Sequence, residues 1–344
     1  MTLQHVLGIE LPIIQAPMAG VQDHRLAVAV SNAGGLGSLP AAMLSLEALR
    51  AELTALQAQT RKPYSVNFFC HTETAPDVAR EAAWRAALAP YYAELELDPA
   101  QIPAGPGRAP FSAQTAALLA EFRPPVVSFH FGLPSPELLA QVQGWGSKVI
   151  ASATTVAEAL WLEARGVDVV IAQGLEAGGH RGHFLSMDLT EQAGLFALLP
   201  RIVQAVSVPV IAAGGIANAQ GVAAVMALGA AGAQVGTAYL LCPEANTSAV
   251  HRAALQSPAA GHTALTTLFS GRPARSIVNR VIRELSPLSA PTPAFPLAAL
   301  AIAPLRAKAE SLGSGDFSPL WSGQNASGCK AIGAAALTLE LVGG

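Results

Sequence analysis

Val208-Pro-Val-Ile-Ala-Ala-Gly-Gly-Ile216 and Gly232-Ala-Gln-Val-Gly-Thr237 decide the fold reading. Each is a short apolar run that stops at glycine, as a strand buried on both faces stops at its loop. Between them Asn218–Leu228 reads as a helix opened by a capping asparagine. Working outward, the same strand–loop–helix pattern recurs. Ile13–Ala16 reads as a first strand with a helix from about Asp23, Gly35–Leu39 as a second with Leu46–Gln57 as its helix, and Tyr64–Phe69 as a third. Val126–Phe129, Lys148–Ser152 and Val169–Ala172 follow, with a helix at Thr155–Arg165, and Val208–Ala212 and Ala233–Gly236 complete the series. Eight β/α units in series predict an α/β fold, a closed (β/α)₈ TIM barrel rather than an open sheet.

Two segments stand outside the repeat: an insertion over 72–123 after the third strand, with a Pro/Gly-rich patch at Ile102–Pro110, and the chain beyond Leu241. The expected organisation is a barrel over 1–241 that includes the insertion, and a C-terminal extension over 242–344 packing over the barrel mouth. Peripheral packing and cover for the mouth are both compatible with such insertions.

Of the 344 residues, 51% are hydrophobic and 12% charged, which suits a large core and excludes disorder. The net charge is −3 and no basic stripe occurs, so nucleic-acid binding has no electrostatic support. Cys70, Cys242 and Cys329 are far apart and form no CxxC, which favours a reducing, cytoplasmic setting. No charge occurs between Arg201 and Glu244, a length sufficient to span a bilayer. Pro209, Gly214, Gly215, Asn218 and Gln220 break that stretch, and it reads as buried β/α core. The sequence has neither metal-ligand spacing nor a G-x-S-x-G elbow.

In barrels the loops after strands seven and eight often bind phosphate. Gly214-Gly215 and Gly236-Thr237 end those two strands. Their backbone N–H groups can approach an anion closely, and Thr237 adds a hydroxyl. A phosphorylated ligand is expected there; no Walker A loop and no early G-x-G-x-x-G compete for it. After the sixth strand comes Ala172-Gln-Gly-Leu-Glu-Ala-Gly-Gly-His-Arg-Gly-His183. Gln173 can pair with a heterocycle edge. Gly178-Gly179 permits close approach, and His180 is the candidate acid, base or donor. His183 competes with it, whereas Glu176 and Arg181 read as loop surface. His130 ends the fourth strand, either a site residue able to meet His180 across the mouth or a satisfied core histidine. Asn67, near the end of the third strand, needs a partner that a bound heterocycle or a loop backbone would supply.

Together these elements resemble the nitronate monooxygenase family, formerly called 2-nitropropane dioxygenases. The resemblance runs through Pro12-Ile-Ile-Gln-Ala-Pro-Met-Ala-Gly20, Ser65-Val-Asn-Phe-Phe69, Ser128-Phe-His-Phe-Gly132, Ala151-Ser-Ala-Thr-Thr155, the Gln173–His180 loop and the two glycine turns. It extends to Phe269-Ser-Gly-Arg-Pro-Ala-Arg275 and Trp321-Ser-Gly-Gln324; only Ala89–Phe122 carries no family motif. The resemblance implies non-covalent FMN bound by Met18, Asn67, Gln173, Gly178, Gly215, Gln234, Val235, Gly236 and Thr237. It implies His180 as the catalytic residue, His130 beside the substrate, and oxidation of an alkyl nitronate by O₂ to a carbonyl compound and nitrite. An NAD(P)H-dependent flavin reductase on the same barrel, and a non-catalytic flavin-binding protein, are the competing readings.

Overall fold

A computed structural model of the protein describes residues 2–102 and 108–344. Eight parallel strands form one sheet. They are β1 (Ile13–Gln15), β2 (Gly37–Pro40), β3 (Tyr64–Phe69), β4 (Val126–His130), β5 (Lys148–Ala153), β6 (Val169–Gln173), β8 (Val210–Ala213) and β9 (Gly232–Val235). The intervening β7 is the two-residue Gly179–His180. The sheet order β1-β9-β8-β6-β5-β4-β3-β2 closes through the parallel bridge between Ile14 and Leu36. Every residue of β1, β2, β3, β6 and β8 is buried, as strands with helices outside and a packed barrel inside require. The expected strands stand where the sequence put them, with ends shifted by one or two residues.

Short polar residues start the helices that follow. Asp23, Ser45, Thr155 and Asn218 each accept a backbone N–H in the first turn of the next helix. Such a cap satisfies a donor the helix itself leaves free and contributes about 1 kcal/mol. One cap comes from farther away. The helix Leu195–Ala205 has Gly194 as its N-cap, and Glu176 supplies the missing acceptor, with both carboxylate oxygens 2.9 Å from Leu195 N. Glu176 therefore holds the loop after β6 onto a barrel helix.

The insertion and the C-terminal extension pack on each other. Trp84 and Tyr92, on the insertion helix Val78–Glu94, donate to the carbonyls of Ala298 and Ala301 on the helix Ala298–Ser311. The patch at Ile102–Pro110 lies outside the described residues over 103–107. A second sheet joins the extension to the barrel: β10 (Thr263–Thr266) pairs antiparallel with β11 (Ala274–Ile277), and β11 pairs antiparallel with β7. Among the described residues no helix is long and apolar enough to cross a membrane.

Candidate active site

The strand ends and the extension enclose a cavity of about 180 Å³. One end is glycine. Gly178, Gly214, Gly215, Gly236 and Thr237 line it, together with Gly323 and Asn325 from the extension. The backbone N–H groups of Gly214, Gly215, Gly236 and Thr237 donate to no other described residue. Gly214 and Gly215 have φ of 125° and 70°, where a side chain is strained. The extension straps this end. Gly323 N donates to Thr237 Oγ1 at 2.9 Å, and Asn325 donates to the Gly215 carbonyl at 3.1 Å. A Cβ on Gly178 would lie 2.6 Å from Gly323 N, so only glycine fits beneath the strap. Four unpartnered N–H groups on residues that line one cavity suit the oxygens of a phosphate. The chemistry of a flavin phosphate therefore fits these residues.

The other end is aromatic and polar. Phe69, Arg108, His130, His180 and Trp321 line it. The ring centres of Phe69, Phe131, Phe295 and Trp321 lie 5.5–6.1 Å from that of His180. The Arg272 guanidinium sits 4.0 Å over the Phe131 ring, and Arg108 lies 5.8 Å over Phe295. Among the described residues, no Asp or Glu lines the cavity. Arg108 on a wall without a carboxylate among the described residues favours an anionic ligand.

His180 belongs to β7, where Ala274 of β11 is its ladder partner. The sequence describes this stretch as a flexible loop; it is a pinned strand. Arg181, expected at the surface, is fully buried, because its guanidinium donates to the carbonyls of Gln173 and Gly174 and to Gln192. His180 Nε2 is 2.8 Å from Ser270 Oγ. Burial holds its pKa well below the usual imidazole value, and Arg108, His130, Arg272 and His71 push the same way. His180 is therefore neutral at working pH.

His130 meets His180 through the backbone. Its Nε2 donates to the His180 carbonyl at 3.3 Å, which leaves Nδ1 to accept from Ser152 Oγ at 3.1 Å. Burial, then Arg272, lowers its pKa to about 3. It is a partnered, neutral histidine that also lines the cavity, so the two sequence readings of it coexist. Gln173 lines the cavity too, yet its amide is committed to the loop. Its Nε2 donates to the His180 carbonyl at 2.9 Å and its Oε1 accepts from Gly182 N at 2.7 Å. Asn67 donates to Ser128 Oγ at 2.9 Å, and Met18 and Gln234 lie on the cavity wall with it. Val235 is not on that wall: its side chain is in the barrel core, and its carbonyl accepts from Ala16. His183 is buried beside the site, with neither ring nitrogen partnered and its pKa lowered to about 4 by burial and Arg272. It does not line the cavity.

Sequence reasoning gave no role to Ser270, Trp321, Arg108, Arg272 or Phe295. Ser270 and Trp321 stand in the quoted Phe269–Arg275 and Trp321–Gln324 motifs, which were the available signal.

The model of the family described as nitronate monooxygenase matches residues 1–343. A nitronate monooxygenase of Pseudomonas aeruginosa is 42% identical over 98% of this chain and 97% of its own length. The crystal structure of a nitroalkane oxidase from Streptomyces ansochromogenes is 39% identical, with a TM-score of 0.89 over 99% of this chain and 96% of that one. FabK from Thermotoga maritima is 27% identical with a TM-score of 0.75, over 100% of this chain and 95% of that one. The full-length family match and two-fifths identity to a curated member agree with the barrel and its cavity: this chain belongs to the nitronate monooxygenase family, which is flavin-dependent, and carries that enzyme activity.

Proposed function

We propose that the flavin is FMN, that its phosphate takes the cradle of Gly178, Gly214, Gly215, Gly236 and Thr237, and that a nitronate anion and O₂ react at the His180 end. One observation carries this reading. A single cavity joins a cradle of free backbone donors to a chamber that holds arginine and histidine but no carboxylate. The strap at Gly323 and Asn325 is bonded to the cradle at Thr237 and Gly215. Met18, Asn67 and Gln234 line the same cavity and would flank the ring system.

When bound, FMN supplies the electron transfer that links the nitronate to O₂. The chain supplies orientation, electrostatics and exclusion of water. Phe69 and Trp321 wall the chamber, and Phe131 and Phe295 pack around His180; these rings lower the effective dielectric, which strengthens each charge interaction inside it. Arg108, on the cavity wall, compensates the negative charge of the substrate, and Arg272, stacked on Phe131, adds to the positive field. His180 offers a neutral ring nitrogen to the nitro oxygens, where donors are worth most. His130 and Gln173 hold the His180 backbone through its carbonyl.

Heat release followed by mass measurement of the cofactor tests the assignment. The expected result is a yellow protein that releases FMN. FAD, or no flavin in protein reconstituted with flavin, contradicts it.

A further inference from the structure

We propose that Ser270 is a positioning residue that fixes the tautomer of His180, so that the imidazole meets the substrate as a donor through Nδ1–H. The inference rests on the reading of the cavity as a nitronate site. Ser270 is 2% exposed and lies in the turn that leads into β11. The β11–β7 ladder pairs Ala274 with His180, so one ladder holds the serine turn and the histidine strand together. The hydroxyl is 2.8 Å from His180 Nε2. The other ring nitrogen, Nδ1, makes no hydrogen bond among the described residues. It is not among the sealed, unpartnered side-chain atoms either, and His180 lines the cavity.

Two proton arrangements satisfy the serine–histidine bond. In the first, Nε2–H donates to Ser270 Oγ, and the serine hydroxyl must turn to the Arg272 carbonyl, 3.3 Å away. In the second, the hydroxyl donates to Nε2 at 2.8 Å while Oγ accepts the Arg272 N–H at 3.4 Å. Hydroxyl donors prefer about 2.7–2.8 Å. The second arrangement gives the hydroxyl its best acceptor, whereas the first leaves it stretched.

His180 is buried among Arg108, His130, Arg272 and His71, which keep the ring neutral. The ring therefore carries one proton, and its location decides the chemistry. With Nε2 accepting from Ser270, the proton is on Nδ1 and points at the cavity. A nitronate oxygen accepts it as a hydrogen bond. The α-C–H of a neutral nitroalkane finds no lone pair there, so the same serine makes the site select the anion over its conjugate acid.

The test uses flavin-loaded protein labelled with ¹⁵N-histidine. Two-bond ¹H–¹⁵N correlation reads the tautomer, and His180→Asn identifies the His180 signals. The expected wild-type spectrum has a protonated Nδ1 and a bare Nε2. Ser270→Ala should disturb that pattern and lower kcat/KM on a preformed nitronate by about tenfold to a hundredfold, the worth of a buried hydrogen bond. Activity on the parent nitroalkane should not fall in parallel, so the preference for nitronate narrows. Ser270→Thr restores the hydroxyl and should restore tautomer and preference. An unchanged flavin-to-protein ratio shows that the variants are folded. A protonated Nε2 in the wild type overturns the proposal. So does a Ser270→Ala enzyme that keeps the wild-type tautomer, or one that loses both substrates in equal proportion. A wild type with Nδ1–H that oxidises no nitronate supports the tautomer and sinks the reading of the cavity.

Discussion

Gly236→Asp is expected to yield a folded barrel that no longer retains flavin. Gly236 has an ordinary φ of −119°. A Cβ there would lie 3.2 Å from Ala16 Cβ and 3.7 Å from Met18 Sδ, contacts that a small shift relieves. The backbone thus tolerates a side chain, and the effect comes from the charge. The aspartate carboxylate occupies the cradle in which the free N–H groups of Gly214, Gly215 and Thr237 await an anion. A resident anion uses up those donors and repels the phosphate. The expected flavin-to-protein ratio is near zero with an unchanged circular dichroism spectrum, while Gly236→Ala, which adds volume without charge, retains flavin. A folded, fully loaded Gly236→Asp protein would place the phosphate elsewhere.

His180→Ala is expected to lower kcat/KM on preformed nitronates by about 10²–10³-fold, the usual cost of losing one donor to a developing or resident oxyanion. His180→Asn should recover part of that loss, because the asparagine amide presents an N–H close to the position of imidazole Nδ1. A histidine acting as a base predicts a different pattern. Alanine and asparagine would then be equally poor on neutral nitroalkanes, by about 10²–10⁴-fold, and both would spare preformed nitronates. Steady-state kinetics of the two variants on both substrate forms, at equal flavin content, separates the mechanisms. Wild-type rates in both variants would remove His180 from the reaction and direct attention to His130, which also lines the cavity.

The barrel was legible because its signals are local. Runs such as Val169–Gln173 and Val210–Ala213 have no polar face, and capping residues such as Thr155 and Asn218 mark where the next helix begins. The phosphate cradle was legible for a related reason. Gly214, Gly215 and Gly236 stand at the ends of consecutive strands, and barrel geometry brings adjacent strand ends together.

What escaped the sequence depends on contacts between distant segments. Gly179–His180 is too short to carry a strand period, and its partner in β11 lies in the C-terminal extension. The loop therefore reads as flexible although it is held on both sides. Arg181 reads as surface because arginine usually is; three acceptors, the carbonyls of Gln173 and Gly174 and the amide oxygen of Gln192, hold it inside. Gln173 reads as a partner for a heterocycle from the chemistry of its amide; it lines the cavity, and the same amide also bonds Gly182 and the His180 carbonyl, which only the folded loop shows. Val235 sits between two cavity residues in sequence, but the strand alternation turns it into the core. Ser270 and Trp321 had motifs but no roles, since only the folded extension brings them to His180.

Oxygen uptake tests the central claim most directly. Purified, flavin-loaded protein is given preformed propionate 3-nitronate in air-saturated buffer. In parallel it is given NADH plus a quinone, and NADH alone without oxygen. The account predicts O₂ consumption and nitrite release with the nitronate, no quinone reduction, and a flavin that stays yellow under NADH. Rapid bleaching by NADH with quinone turnover, and no O₂ uptake on the nitronate, would contradict it.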